Sequence, residues 1–230
     1  MSDQTYPVHE VFHTFQGEGV HMGRPAFFIR LFGCPVQCPW CDSAGTWHPK
    51  HTPKNIQRMT ARELVDMALE AKVNHVVITG GEPCVHDLNE LINLLHEHEL
   101  FVSIETSGAF EIKGIPDWVT LSPKKWKLPI QANLLRAHEF KLIIEEPADI
   151  EYYSDIISDA KRWSEAHVWL HPEWSQRENN DVLNAISNAL KQPHSPYRAG
   201  WQIHKLYRVD FLDVRSKASV PLGGDLSKGF

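Results

Sequence analysis

The chain has little that would anchor it in a membrane, staple it outside a cell or hold it to a nucleic acid. No apolar run approaches the roughly 20 residues that span a bilayer. The opening, MSDQTYPVHEVFHTFQGEG, lacks a basic segment followed by an apolar one. Both absences lead us to expect a cytoplasmic protein with no membrane partner. Positive charge is in deficit: 23 lysines and arginines against 29 aspartates and glutamates give a net charge of −6. That balance argues against wholesale binding to a phosphate backbone, so small-molecule chemistry is expected and direct nucleic-acid binding is not. Cysteines number only four, and three of them fall within the eight positions from Cys34 to Cys41. A disulfide framework needs wider spacing, so the cluster points to metal or redox chemistry. No repeat, low-complexity tract or polar linker divides the chain, and residues 1–230 read as one domain.

What is present is an alternation of short apolar runs and amphipathic stretches. Residues 26–32 (AFFIRLF) are almost continuously apolar and read as a buried strand running straight into the cysteines. Thr60 and Glu63 form a capping-box signature before Leu64, Val65, Ala68 and Leu69, one stripe of a helix expected to end near Lys72. The β-branched run 75–79 stops at Gly80-Gly81, and Leu88, Leu91, Ile92 and Leu95 follow at helical spacing. Further strands are expected at 101–105, 118–121, 140–144 and 167–171, with helices around 150–164 and 181–190. Alternating strand and helix imply an α/β fold with a mainly parallel sheet. About six such strands, joined by right-handed helical crossovers, would curl into an incomplete TIM-like barrel. The unusual segments at 33–43, 80–83, 105–108, 122–124 and 171–176 each follow a strand's carboxyl end, the face that carries the active site in such folds.

Cys34-x3-Cys38-x2-Cys41 puts three thiolates on one short loop, able to grip three corners of a 4Fe-4S cubane and leave the fourth iron without a cysteine. As in open catalytic zinc sites, the vacant position can take a small chelating ligand. Competing readings are a zinc site completed by Cys84 or one of the 14 histidines, or three ordinary buried thiols. Zinc ribbons pair two Cys-x-x-Cys knuckles, and no second knuckle is present. Cys84 reads as a plain neighbour of the active loop.

With Trp40 immediately before the last cysteine, the spacing is similar to the signature of the radical S-adenosylmethionine superfamily. Gly80-Gly81-Glu82-Pro83 resembles that superfamily's glycine-rich motif, where backbone and carboxylate receive the methionine ammonium of the cofactor; glycine allows the close approach. A narrower resemblance lies in Phe15-Gln16-Gly17-Glu18-Gly19, Arg30, the loop 34–43, residues 78–84, Glu105-Thr106-Ser107-Gly108 and Ser122-Pro123-Lys124. Together these look like the 7-carboxy-7-deazaguanine synthase family, over residues 6–204.

The resemblance implies a radical SAM core and a lyase reaction in queuosine and 7-deazapurine biosynthesis. In it, 6-carboxy-5,6,7,8-tetrahydropterin undergoes ring contraction to 7-carboxy-7-deazaguanine with loss of ammonia. It also implies magnesium, a homodimer and an electron donor such as flavodoxin. Carried over by motif, Cys34, Cys38 and Cys41 would hold the 4Fe-4S cluster. Trp40, Cys41, Asp42, Gly81, Glu82, Ser122, Pro123 and Lys124 would surround S-adenosylmethionine, with His171 at a position where many relatives have glutamine. Phe15, Gln16, Gly17, Arg30 and Thr79 would contact the pterin, and Ser43 would ligate magnesium.

The residue types suit these roles. The planar fork of Arg30 fits a carboxylate, Ser43 offers magnesium a hard oxygen, and Gln16 and Glu18 could read a pterin edge. The tail 209–230 extends beyond shorter members of that family, whose chain end approaches the substrate, which leaves His204, Lys205 and the tail itself as candidates to close the pocket. Two rivals are a radical SAM activating enzyme for a glycyl-radical partner and a non-catalytic iron–sulfur or zinc module. Residues 15–19 count against the first, and the acidic balance with glycine-rich loops counts against the second.

Overall fold

A computed structural model describes residues 4–159, 166–207 and 212–217. Its nine strands are β1 (Thr5–Phe15), β2 (Pro25–Leu31), β3 (Gln57–Thr60), β4 (His75–Gly80), β5 (Phe101–Thr106), β6 (Trp118–Leu121), β7 (Glu139–Ile144), β8 (His167–Pro172) and β9 (Tyr197–Ala199). Helices α1 (Ala61–Glu70), α2 (Asn89–Glu97), α3 (Gln131–Arg136), α4 (Asp149–Asp159), α5 (Asn180–Leu190) and α6 (Ile203–Tyr207) lie between or after them. One sheet runs in the order β3-β1-β2-β4-β5-β6-β7-β8-β9. From β2 to β9 every neighbouring pair is parallel, whereas β1 is antiparallel to both β2 and β3. The six expected strands are therefore the middle of an open, partial barrel. Strands β1, β3 and β9 extend it at the edges, beyond the expectation. No helix among the described residues is long and apolar enough to cross a membrane.

The expected capping box is in place at α1: Thr60 Oγ1 accepts from Glu63 N–H at 3.2 Å, and Glu63 Oε2 accepts from Thr60 N–H at 2.7 Å. Leu64, Val65 and Ala68 of α1 and Leu91, Ile92 and Leu95 of α2 are buried against the outer face of the sheet, while Leu69 turns partly to solvent. The strand residues facing them are Val11, Ile29, Ile78, Ile104 and Val119. A second cluster, with Phe140, Leu142 and Leu170, does the same under α4 and α5. Each such fully buried side chain contributes about 1.5–3 kcal/mol, so the core lies between sheet and helices.

Because side chains alternate along a strand, the other set points into the barrel. There the apolar runs carry isolated polar residues: Arg30 in β2, Thr79 in β4, Glu105 in β5, Thr120 in β6 and Lys141 in β7 all line one internal cavity. The antiparallel β1 adds Glu10, Phe12 and Thr14 to that lining. Its pairing of Phe15 with Pro25 brings the following loop, residues 16–24, beneath the amino-terminal ends of the parallel strands. His21 of this loop inserts edge-on against His75, Phe101 and Trp118, at centroid distances of 5.3, 5.2 and 4.7 Å. The loop is the floor of the barrel.

Residues 201–207 follow edge strand β9 and span to the other side. Ile203 N–H donates to Gly17 O at 3.1 Å, and Lys205 Nζ lies 3.0 Å from an Asp42 oxygen. Of the expected extension 209–230, residues 212–217 are described and the rest lie outside the described residues, as does the end of the helix expected to reach 164.

Candidate active site

The cysteine loop leaves the carboxyl end of β2 and turns sharply at Gln37, whose φ is 56°. Cys34, Cys38 and Cys41 all line the cavity. Burial pushes the Cys38 thiol up to about 12 and Cys41 to about 11, and it raises Cys34 against hydrogen bonds from the backbone of Gln37 and Val36. Cys41 Sγ accepts from Ser43 N–H at 3.3 Å and from the Trp47 indole N–H at 3.4 Å. Among the described residues no three His, Cys, Asp or Glu side chains converge on one ion. A cubane, whose irons bind separate thiolates, does not need that convergence. Soft ligands on one loop, with N–H groups aimed at two of the sulfurs, fit a 4Fe-4S cluster. Cys84 is outside the cavity lining, its thiol raised by burial beside Glu82.

The loop after β4 packs backbone to backbone on the cysteine loop. Gly81 N–H donates to Leu31 O at 3.0 Å and Glu82 N–H to Gly33 O at 2.8 Å. A Cβ on Gly81 would sit 2.4 Å from Gly33 O and 2.7 Å from Cys34 Cβ, so only glycine permits this contact. The Glu82 carboxylate is nearly fully buried and accepts four hydrogen bonds. They come from Cys84 N–H (3.0 Å), Thr106 Oγ1 (2.6 Å), Ser107 N–H (2.8 Å) and Ser107 Oγ (2.5 Å). It lines the cavity yet serves as a brace between the loops after β4 and β5. Next to it, Lys124 is buried with Nζ 2.7 Å from Ser122 Oγ and 5.5 Å from the Trp40 ring centroid, and burial draws its ammonium down to about 8. The buried indole nitrogen of Trp40 has no hydrogen-bond partner. An unpaired donor, a buried cation and a glycine shelf beside the thiols suit a polar cofactor carrying a carboxylate.

Arg30 is half-buried against Glu10, with Nε 2.7 Å from Glu10 Oε1 and Nη1 3.4 Å from Ser43 Oγ. Ser43 Oγ is 3.3 Å from Asp42 Oδ1, so two hard oxygens stand side by side, the ligand type magnesium takes along with waters. Burial would raise the Asp42 carboxyl, but Lys205, Arg30 and His204 outweigh it and hold it below the ordinary range.

At the floor, Gln16 Nε2 donates to Glu105 Oε1 at 2.9 Å and Thr79 Oγ1 to Glu105 Oε2 at 3.2 Å. Glu18 is occupied by Lys141 at 2.5 Å and Gln202 at 2.6 Å. Burial alone would raise the Glu18 carboxyl, and Lys141 pulls it well below. Gly17 lies so close to the His204 ring that a Cβ would be 2.1 Å from Nδ1.

The cavity joining these groups is about 930 Å³, at the upper end of ordinary ligand sites. Phe15, Gln16, Gly17, Arg30, Trp40, Asp42, Ser43, Thr79, Gly81, Glu82, Ser122 and Lys124 all line it with the cysteines. Two expected residues do not. Pro123 is absent from the lining, and the His171 ring is packed over Gly200, where a Cβ would be 2.2 Å from its Nε2. Burial lowers His171 to about 4. Sequence reasoning missed Glu10, Lys141, Gln202 and Trp47; of the residues weighed for closing the pocket, His204 and Lys205 both line it, and Lys205 pairs with Asp42. A signal existed for Lys141 alone, the one charged side chain inside the otherwise apolar run 140–144.

A family model, the Radical SAM superfamily, matches residues 28–131. A 7-carboxy-7-deazaguanine synthase of Synechocystis sp. is 43% identical over 206 residues, covering 89% of this chain and 94% of that protein. One from Flavobacterium psychrophilum is 36% identical, covering 88% and 92%. The crystal structure of QueE from Escherichia coli superposes with a TM-score of 0.74 at 31% identity, covering 85% of this chain and 93% of that one. The chain thus belongs to the 7-carboxy-7-deazaguanine synthase family, radical S-adenosylmethionine enzymes that work with a 4Fe-4S cluster.

Proposed function

We propose that this chain converts 6-carboxy-5,6,7,8-tetrahydropterin to 7-carboxy-7-deazaguanine with release of ammonia. The observation carrying this reading is one cavity with the cysteine loop as its roof and residues 15–19 as its floor, which would bring cluster, cofactor and a planar substrate together away from bulk water. Cys34, Cys38 and Cys41 hold the cluster in this reading, while Trp40, Asp42, Gly81, Ser122 and Lys124 flank S-adenosylmethionine. When bound there, the cluster and S-adenosylmethionine would supply one-electron, radical-generating chemistry that the side chains themselves cannot.

The chain's own residues bind, orient and enclose. Arg30, oriented by Glu10, offers its remaining N–H groups to the substrate carboxylate. Glu105, fixed by Gln16 and Thr79, presents a carboxylate to the N–H donors of an aminopyrimidine edge. Lys124 supplies positive charge to the cofactor carboxylate, and Glu82 braces the shelf on which the cofactor lies. Ser43, with its hydroxyl beside the Asp42 carboxylate, would offer magnesium a hard oxygen. The segment 201–207 closes the side of the barrel through Gln202 and Lys205. A cytoplasmic homodimer reduced by a donor such as flavodoxin belongs to the same reading and is supported by family membership alone.

The test is anaerobic incubation of reconstituted, reduced protein with S-adenosylmethionine, magnesium and the carboxytetrahydropterin, read by mass spectrometry. Formation of 5′-deoxyadenosine and 7-carboxy-7-deazaguanine, both lost in Cys38→Ala, is the expected result. Deoxyadenosine without the deazapurine would overturn the substrate assignment.

A further inference from the structure

Cys41 differs from its two partners in what is aimed at its sulfur. Cys34 receives the backbone N–H groups of Val36 and Gln37. Cys38 meets charges but no hydrogen-bond donor among the described residues. Cys41 Sγ accepts one backbone bond, from Ser43 at 3.3 Å, and one from a side chain, the indole N–H of Trp47 at 3.4 Å. Among the described residues Trp47 is thus the one side chain that donates to a sulfur of this loop.

The ring is held for that contact. Trp47 N–H donates to Ala44 O at 3.1 Å, Thr46 Oγ1 to Ser43 O at 2.7 Å, and Gly33 N–H to Thr46 O at 2.9 Å. The last bond ties the turn carrying Trp47 to the start of the cysteine loop, so both ends of the loop fix the indole relative to Cys41.

We propose that Trp47 is a positioning residue that raises the reduction potential of the cluster by donating its N–H to the Cys41 thiolate. The inference rests on the assignment of Cys34, Cys38 and Cys41 as cluster ligands. A dipole directed at a ligand sulfur stabilises the more negative, reduced cluster more than the oxidised one. The electron comes from an external one-electron reductant, and the indole keeps its proton throughout. The bond therefore eases electron uptake without entering the reaction.

The experiment is an anaerobic redox titration of the reconstituted full chain, followed by the electron paramagnetic resonance signal of the reduced cluster. It compares the unaltered protein with Trp47→Phe and with benzothienylalanine at position 47, which replaces the indole N–H by sulfur and keeps the two-ring shape. At the potential that half-reduces the unaltered protein, the reduced-to-oxidised ratio should fall about tenfold in both variants, a shift of about 59 mV for one electron. Iron and sulfide content should stay the same. An unshifted potential in the benzothienyl protein overturns the proposal, whether or not Trp47→Phe shifts, because a change confined to phenylalanine reports packing. Failure of the unaltered chain to assemble a four-iron cluster would instead overturn the cysteine assignment.

Discussion

Glu10 and Arg30 stand directly opposite each other on β1 and β2, and the Glu10 carboxylate accepts the Arg30 Nε–H at 2.7 Å inside the barrel. Burial alone would lower the guanidinium pKa; the adjacent carboxylate outweighs it and raises it. The pair fixes which edge of the guanidinium is left for a ligand. Glu10→Gln keeps the size but loses the charge that orients Arg30. A charge-assisted hydrogen bond is worth about 1.5–3 kcal/mol, so KM for the carboxylated pterin should rise about 10- to 100-fold with a smaller change in kcat. Arg30→Lys, which keeps charge but not the fork, should lose at least as much. Steady-state kinetics checks both, and a fall confined to kcat would contradict the binding role.

Glu82 makes a prediction of a different kind, because its oxygens are spent on the protein itself. Glu82→Gln turns an amide NH2 toward donors on Cys84, Thr106 or Ser107, leaving at least one buried N–H or O–H unpaired. Such a group costs about 1–3 kcal/mol. The cluster-free protein should therefore melt about 2–12 °C lower, at about 2–4 °C per kcal/mol for a chain this size. An unchanged melting temperature would mean the carboxylate serves only a ligand.

The parallel half of the fold was legible because its outward residues are continuously apolar, and the cysteine and Gly-Gly-Glu-Pro motifs sit where those runs stop. β1 was not legible. It is 11 residues long, but a register shift between Val8 and Glu10 breaks its alternation, and the buried Glu10 looks like a surface residue until Arg30 is placed beside it. Losing β1 also hid where residues 15–19 go, since only its antiparallel course carries them to the floor. The edge strands β3 and β9 have four and three residues, and β9 has none fully buried. Gln202 could not be read at all, because its partner Glu18 lies 184 positions away, and Lys205 was legible only as one of several candidates to close the pocket.

Buried Glu18 and half-buried Lys141 form an ion pair between the floor loop and β7, at 2.5 Å. Removing one charge leaves the other desolvated without its partner, which costs about 3–5 kcal/mol, whereas removing both is often nearly neutral. Glu18→Gln and Lys141→Met should each lower the denaturation midpoint of the cluster-free protein, and the double variant should recover most of the loss. Additive losses would show that the two residues act separately.

Of five histidines that burial lowers, His9, His21, His75, His86 and His171, three are lowered most, and we expect them to set the acid limit of the fold. Burial, helped by Arg24, lowers His75 to about 3; burial and then Lys217 lower His9 to about 4; burial lowers His171 to about 4. All three are neutral in the folded chain at pH 5–6, whereas the unfolded chain begins to protonate them below about 6.5. The unfolded state then binds more protons, so stability is full above about pH 6.5 and is lost as pH falls from there toward 4. With each proton worth about 1.4 kcal/mol per pH unit, and less from the half-buried His9, the slope near pH 5 should be about 2–4 kcal/mol per unit. Urea denaturation of the cluster-free protein at several pH values measures it. His75→Gln can still reach the Ser103 hydroxyl that His75 Nε2 meets at 2.7 Å, and it should remove about one proton from that slope. If the slope is the same in His75→Gln, then His75 is not the group held neutral, and the acid sensitivity must come from the other histidines that burial lowers, His9, His21, His86 and His171.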